Sequence, residues 1–112
     1  MNKNITLFEA PGSVIDISHV KTCECSEKHL NCLTAKEWIK DQLGVWQFQY
    51  ESRDMRNKSR HPATYPVSLS TRLIKLFTHE GELVLDPFVG SGTTLVSARD
   101  VHRNAVGIDL KP

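Results

Sequence analysis

The fold is decided by one stretch of sequence, Leu83-Val84-Leu85-Asp86-Pro87-Phe88-Val89-Gly90-Ser91-Gly92-Thr93-Thr94. Its first three residues are apolar without alternation, which is typical of a parallel strand covered on both faces. A loop with two glycines follows, and then a helix with an apolar side over residues 95–98. Residues 105–108 predict the next strand, which ends at Asp109. This order of strand, glycine loop, helix, strand and acidic residue predicts an α/β fold.

The glycine loop has residues suited to a nucleoside ligand that carries a positive charge. Gly90 and Gly92 lack a Cβ, so a ligand can lie against the backbone, and the helix start offers N–H groups to a carboxylate. In nucleoside-binding α/β units an acidic residue follows the glycine loop by roughly 20 residues, and Asp109 lies near that offset. Its carboxylate can accept hydrogen bonds from both ribose hydroxyls. Asp86 would repel a pyrophosphate but attract an ammonium or sulfonium group. The ligand that combines a cation, a carboxylate and adenosine is S-adenosylmethionine.

Two motifs of the chain resemble those of amino-methylating DNA methyltransferases, which modify cytosine N4 or adenine N6. Residues 86–94 are similar to the glycine-loop cofactor motif of that family. Upstream, His61-Pro62-Ala63-Thr64-Tyr65-Pro66, followed by Leu69, resembles its other cofactor motif, and Trp46 and Gly107-Ile108-Asp109 also fit. The resemblance covers roughly residues 45–112. It implies a partial Rossmann-like fold of S-adenosylmethionine-dependent methyltransferases.

The resemblance also implies a reaction and a set of binding residues. The reaction is methyl transfer from S-adenosylmethionine to an exocyclic amine of DNA, as in restriction–modification, and the sequence His-Pro-Ala favours cytosine N4 over adenine N6. Asp109 would hold the ribose, and the first motif would close the site. The expected cofactor-binding residues are His61, Pro62, Ala63, Asp86, Pro87, Phe88, Gly90, Gly92, Thr93 and Asp109.

The catalytic tetrapeptide of that family is not present in the 112 residues, because no Pro-Pro pair occurs in them. We therefore expect no catalytic residue here, and a cofactor-binding portion that is inactive alone, with the catalytic motif downstream. A truncated protein, a degraded gene and one half of a split enzyme remain open. Uncovered sheet edges predict a homodimer, or pairing with the rest of a split methyltransferase. The alternative function is a non-catalytic binding or assembly module that keeps the fold.

The chain is predicted to consist of two regions, residues 1–44 and residues 45–112. In the first, two β-branched runs around a Pro-Gly turn predict a hairpin over residues 5–17, and a polar loop follows. Thr34 and Glu37 form a capping box that begins a helix. In the second, the alternation over residues 45–50 predicts a half-buried strand, and leucines at helical spacing predict a helix from Val67.

Charge and hydropathy exclude several classes of protein. The formal net charge of +1 excludes a uniformly basic nucleic-acid coat, and the 39% apolar fraction excludes disorder. No apolar run approaches the about 18 residues of a membrane span, and we expect a cytoplasmic protein. The most basic segment is interpreted as a loop that contacts DNA phosphates, or else as a solvated connection. Its basic residues are Arg53, Arg56, Lys58 and Arg60.

Three cysteines lie close together in the predicted polar loop. Without an export signal, reduced thiols are the expectation. The C-x-C spacing is tighter than the usual spacing of zinc ligands, so we expect no metal. The alternative is a zinc site, in a DNA-contacting module, formed by Cys23, Cys25, His29 and Cys32.

Overall fold

The computed structural model describes residues 21–56 and 63–110. The hairpin expected over residues 5–17 lies outside the described residues. The described elements are α1 (Ala35–Asp41), α2 (Ser52–Met55), α3 (Val67–Phe77), β1 (Leu83–Asp86), α4 (Thr93–Asp100) and β2 (Asn104–Gly107). None of the helices in these residues is long and apolar enough to cross a membrane.

The two strands form a parallel pair, as the sequence predicted. Leu83 is paired with Asn104 and Asp86 with Gly107, so the strands end at the same edge of the sheet. The crossover helix α4 packs against both β2 and α3. Strand, loop, helix and strand are thereby confirmed as one βαβ unit.

Small side chains allow α3 and α4 to approach closely. Ser97 and Ala98 of α4 are fully buried, and the Ser97 hydroxyl contacts the hydroxyl of Ser70 on α3. The Ser97 hydroxyl also lies 2.9 Å from the carbonyl of Thr93 and 3.2 Å from that of Val67. The core around these helices therefore contains hydroxyl groups that are satisfied by backbone acceptors.

Local sequence signals explain where the longer helices begin. The Thr34 hydroxyl accepts from the Glu37 backbone N–H at 3.3 Å, and the Glu37 carboxylate accepts from the Thr34 N–H at 2.9 Å. This capping box is the predicted start of α1. Helix α3 begins at Val67, directly after Pro66, which also agrees with the sequence.

Two expectations about residues 45–56 were wrong. The alternating segment 45–50 contains no strand among the described residues, although Trp46 and Phe48 are half-buried and pack edge to face, with ring centroids 6.1 Å apart. An alternating pattern favours an extended chain, but a strand also needs a hydrogen-bonded neighbour. The charged segment is not only a loop, because its start forms the short helix α2, capped by Glu51 and Asp54.

Strand β1 also differs from the prediction of a strand buried on both faces. Leu85 is 60% exposed. Two strands and their helices do not supply a second covering layer within the described residues. One face of β1 is therefore open to solvent in this part of the chain.

Candidate functional site

The glycine loop turns sharply between β1 and α4. Gly90 and Gly92 have φ values of 52° and 89°, in the left-handed region that favours glycine. Gly92 is the N-cap of α4, and no side chain in the described part of the protein caps this helix start. The first-turn N–H groups are therefore directed at the edge of the sheet, where an anionic group of a ligand could accept from them.

Asp86 is the residue that shapes this loop. One carboxylate oxygen accepts the backbone N–H of Phe88 at 3.0 Å, and the other accepts the hydroxyl proton of Thr94. Since Thr94 donates to Asp86, the Tyr65 hydroxyl, 2.5 Å away, donates to Thr94. The carboxylate keeps lone pairs that a ligand cation or donor can still use. Asp86 thus has a structural role in the loop, and its attraction of a ligand cation stays a prediction.

Asp109 lies beside the same loop. The backbone N–H of Ile108 donates to the Asp86 carbonyl at 2.9 Å, and the N–H of Val89 donates to the Ile108 carbonyl at 3.0 Å. These bonds continue the parallel pairing past the ends of the strands. The loop and the acidic end of β2 are consequently brought together.

Gly107 is a loop-positioning residue that the sequence analysis did not include among the site residues. A Cβ at this position would lie 2.6 Å from Cγ2 of Val89 and 2.8 Å from its Cβ. Real Cβ atoms do not approach carbon atoms this closely, so only glycine fits. The signal was present in the Gly107-Ile108-Asp109 motif, but sequence alone does not show which side chain lies against it.

The segment before α3 reaches the loop through Tyr65. Of the three residues expected to close the site, Ala63 is exposed, and His61 and Pro62 lie outside the described residues. The hydrogen bond from Tyr65 to Thr94 nevertheless brings this segment to the first turn of α4. Phe88, at the tip of the loop, is 87% exposed and Pro87 is exposed as well.

The basic residues of the expected DNA-contacting segment have mixed surroundings. Arg53 forms ion pairs with Asp100 at 2.8 Å and with Glu51 at 3.1 Å, and the hydrogen bond to Asp100 raises the pKa of Arg53. Arg56 lines a cleft of about 520 Å³ that also includes Ser91 and Thr93 of the glycine loop. Lys58 and Arg60 lie outside the described residues.

Asp54 is a buried acid whose role the sequence analysis missed. Its two oxygens accept the backbone N–H groups of Glu51 at 2.7 Å and of Val67 at 3.0 Å. Asp54 is only 7% exposed, and it ties α2 to the start of α3. From the sequence alone, Asp54 could not be distinguished from a solvent-exposed acid that lowers the net charge of a basic segment.

The cysteines are clustered, but with a different histidine from the expected one. Cys23, Cys25 and Cys32 lie around His79, while His29 is not part of the group. Hydrogen bonding, above all from Cys32, lowers the pKa of the Cys23 thiol to about 6. Burial raises the pKa of Cys32 to about 11.

A parallel βαβ unit with acids at the ends of both strands and a glycine loop between them defines an α/β nucleoside-cofactor-binding domain. The sequence matches the family described as DNA methylase, of the N6/N4 type, over residues 6–112. The chain belongs to this DNA methylase family. S-adenosylmethionine is the cofactor of the family, which confirms the cofactor predicted from the sequence.

Individual relatives agree with this family. The chain is 41% identical to the type II methyltransferase M.BglI of Bacillus subtilis over 83 residues, which are 73% of the chain and 23% of M.BglI. It is 39% identical to the type II methyltransferase M.HpaI of Haemophilus parainfluenzae over 66 residues, which are 59% of the chain and 21% of M.HpaI. The chain therefore spans less than a quarter of the length of these two curated relatives.

Solved structures confirm the partial Rossmann-like fold. The PvuII DNA methyltransferase, which is cytosine-N4-specific, matches with a TM-score of 0.55 and 25% identity, over 66% of this chain and 31% of that one. A DNA modification methylase from Thermus thermophilus matches with a TM-score of 0.56 and 27% identity, over 80% of this chain and 35% of that one. The family match crosses residue 44, and the division there remains a prediction.

Proposed function

We propose that this chain is the S-adenosylmethionine-binding portion of a DNA methyltransferase that modifies an exocyclic amine. Asp86, Phe88, Gly90 and Gly92 surround the methionine part of the cofactor, and Asp109 accepts hydrogen bonds from its ribose. Pro87 and Thr93 shape the loop. His61, Pro62 and Ala63 close the site from the segment before α3.

The observation that carries this proposal is the position of the two acids. The hydrogen bond between Ile108 N–H and the Asp86 carbonyl, 2.9 Å long, brings Asp86 and the residue after Ile108 to one edge of the sheet. A ligand with a sulfonium near one carboxylate and a ribose near the other satisfies both. A pyrophosphate placed on the loop would instead face the Asp86 carboxylate.

In the complete enzyme the target base is proposed to leave the duplex, since its amine is otherwise out of reach of the cofactor. S-adenosylmethionine held by Asp86 and Asp109 would supply the methyl group to the amine nitrogen, with the neutral thioether S-adenosylhomocysteine as the leaving group and the amine proton passing to solvent. We favour cytosine N4 as the acceptor. The His-Pro-Ala sequence and the similarity to the cytosine-N4-specific PvuII enzyme support this choice.

We further propose that the chain binds the cofactor but does not methylate DNA alone. Two features support this: the Pro-Pro pair of the catalytic motif does not occur in the 112 residues, and a largely apolar groove of about 430 Å³ lies open beside α3. Leu73 and Phe77 line this groove and are 40% and 70% exposed. A second methyltransferase segment or a second copy of the chain would cover these side chains.

Cofactor affinity, measured by calorimetry on the 112-residue chain, tests the proposal. We expect micromolar binding of S-adenosylmethionine, and at least about tenfold weaker binding for Asp109→Ala because the ribose hydrogen bonds are lost. Glu27→Gln removes an exposed acid far from the loop in sequence and is the control; its affinity should be unchanged. Tighter binding of NAD or ATP than of S-adenosylmethionine would contradict the assignment. Absence of any cofactor binding would favour the assembly module instead.

DNA methylation is tested separately, with tritiated S-adenosylmethionine and duplex DNA of varied sequence. We expect no transfer by the chain alone. Measurable turnover would show that the chain contains a catalytic residue that the motif search missed.

A further inference from the structure

Four sulfur and nitrogen atoms converge on one point beside the end of α3. The Nδ1 atom of His79 lies 3.4 Å from the sulfur of each of Cys23, Cys25 and Cys32. The sulfurs of Cys23 and Cys25 are 3.5 Å apart, and all four atoms lie within 4.8 Å of one another. The cysteines are separated from His79 by 47 to 56 positions in the sequence, so the fold and not the chain order brings the four residues together.

Hydrogen bonding alone does not account for this arrangement. The Nδ1 atom of a histidine has either one proton or one lone pair, so it makes one strong hydrogen bond. Here three sulfurs surround it at equal distances of 3.4 Å. A disulfide does not account for it either, because all three cysteines are free, and the sulfurs of Cys23 and Cys25 are 3.5 Å apart whereas a disulfide bond is about 2.05 Å long.

A tetrahedral zinc ion does account for the spacing. Zinc–sulfur bonds of about 2.3 Å and zinc–nitrogen bonds of about 2.0 Å place neighbouring ligand atoms about 3.6 to 3.8 Å apart. Four of the six separations, at 3.4 and 3.5 Å, are close to these edges, and the other two are at most 4.8 Å. We infer that Cys23, Cys25, Cys32 and His79 form a structural zinc site, with three thiolates and Nδ1 as the four ligands.

The turn that carries Cys32 is fixed by contacts outside the cluster. Asn31 and Cys32 have φ values of 51° and 68°, which turn the chain so that Cys32 faces the other cysteines. The bridge between Leu30 and Leu33 closes this turn, and the Asn31 amide donates to the Leu76 carbonyl at 2.5 Å. A left-handed turn without glycine is uncommon, so it indicates a constraint at this position.

The histidine side of the cluster is held as firmly. The His79 backbone N–H donates to the Glu82 carboxylate at 2.7 Å, and the Thr22 N–H donates to the Glu80 carbonyl at 2.8 Å. A Cβ at Gly81 would lie 2.6 Å from the Thr22 side chain, so the two segments touch there. The cysteine segment and the turn that carries His79 are thus held against each other by contacts that do not involve the four ligand atoms.

Four protein ligands leave no position open for water or substrate, which indicates a structural role rather than a catalytic one. The zinc would join the segment 23–32 to the turn that leads into β1. The cross-link would add stability to a chain whose described core has few fully buried apolar residues. The C-x-C spacing does not exclude the site, because the fourth ligand comes from elsewhere in the fold. The sequence analysis placed the alternative site on His29, and the fold supplies His79 instead.

Metal content and cobalt spectra of the purified 112-residue chain test this inference. We expect about one equivalent of zinc per chain, and, after exchange for Co²⁺, the visible absorption of a tetrahedral site with sulfur-to-cobalt charge transfer. His79→Ala should reduce zinc affinity by at least the about 10- to 100-fold that even an outer-shell change causes. His29→Ala is the matched control, since His29 lies in the cysteine segment but outside the cluster, and it should retain its zinc.

Three results would overturn the inference. They are a purified wild-type chain that takes up neither zinc nor cobalt under reducing conditions, a cobalt spectrum without sulfur charge transfer, and loss of zinc in His29→Ala but not in His79→Ala. Because the spectrum is recorded on the wild-type chain, the test does not depend on whether a variant folds. None of these measurements involves S-adenosylmethionine, so the outcome is independent of the proposed function.

Discussion

The hydroxyl of Tyr65 lies 2.5 Å from the hydroxyl of Thr94, which in turn donates to Asp86. This relay joins the segment before α3 to the first turn of α4 and to the carboxylate at the end of β1. The motif that contains Tyr65 and the motif that contains Asp86 and Thr94 are therefore joined by hydrogen bonds, although they are separate in the sequence.

Replacing Tyr65 with Phe removes the first member of this relay. Thr94 keeps its bond to Asp86, so we expect a loss of only about 0.5–1.5 kcal/mol in the free energy of unfolding. Cofactor affinity should fall several-fold, because the segment before α3 is no longer fixed to the loop. Tyr50→Phe removes a more exposed hydroxyl, 3.0 Å from the Thr64 carbonyl, and should change affinity less. Equal losses in the two variants, measured by urea unfolding and calorimetry, would contradict the relay.

A methyl group at Gly107 should displace the glycine loop. The added Cβ would lie 2.6 Å from Val89, so Gly107→Ala should lose about 1–3 kcal/mol of stability and weaken cofactor binding. Gly44→Ala is the control, because a Cβ there meets no atom within 4 Å. Urea unfolding should leave that variant as stable as the parent chain, or slightly more stable. A Gly107→Ala chain with unchanged stability would show that Val89 moves freely.

Arg103 connects the end of α3 to the start of β2. Although only 7% exposed, it donates to the Thr78 carbonyl and the Val101 carbonyl, each at 2.6 Å, and to the Thr78 hydroxyl at 3.0 Å. We expect Arg103→Ala to lose about 2 kcal/mol of stability, since three half-buried acceptors lose a charged donor.

Arg103→Lys should not retain the stability of the parent chain, because a single ammonium group cannot reproduce the several hydrogen bonds of a guanidinium. The control is Arg99→Ala, whose side chain is 75% exposed and whose loss should change stability little. Thermal unfolding of the three variants gives the comparison. A stable Arg103→Lys chain would mean that charge alone is sufficient.

The cap of α1 should make stability depend on pH in the acid range. Hydrogen bonds from the Thr34 hydroxyl and from its backbone N–H lower the pKa of Glu37 below its usual value. A lowered folded-state pKa means that the stabilisation is complete above the unfolded value, about 4.3, and is lost as the pH falls through the folded value. The unfolding free energy of Glu37→Gln should therefore differ from that of the parent at pH 7 and converge with it towards about pH 3. A constant difference would contradict this origin.

The sequence predicted the elements that depend on local signals. The capping box at Thr34, the leucine spacing of α3 and the unbroken apolar run of β1 each determine a structure within a few residues. The loop from Asp86 to Gly92 was also predictable, because its glycines and flanking acid are consecutive in the chain.

Features that depend on distant partners were not predictable. The prediction of a strand over residues 45–50 was wrong because alternation is a property of one segment, whereas a strand also needs a hydrogen-bonded neighbouring strand. Asp54 looked like a surface acid until the fold placed the Val67 N–H against it. His79 was missed for the same reason, since no spacing rule connects it to Cys23 or Cys32.

The hydrogen bonds of Asp86 have one more consequence, for the thermodynamics of cofactor binding. Both carboxylate oxygens are already engaged in holding the loop in shape. The free chain is therefore preorganised, and a ligand does not have to freeze the backbone of residues 86–94 when it arrives. Weak polar contacts would suffice for useful affinity under these conditions, and replacing Asp86 would raise the entropic cost of association in addition to removing its contact with the cofactor.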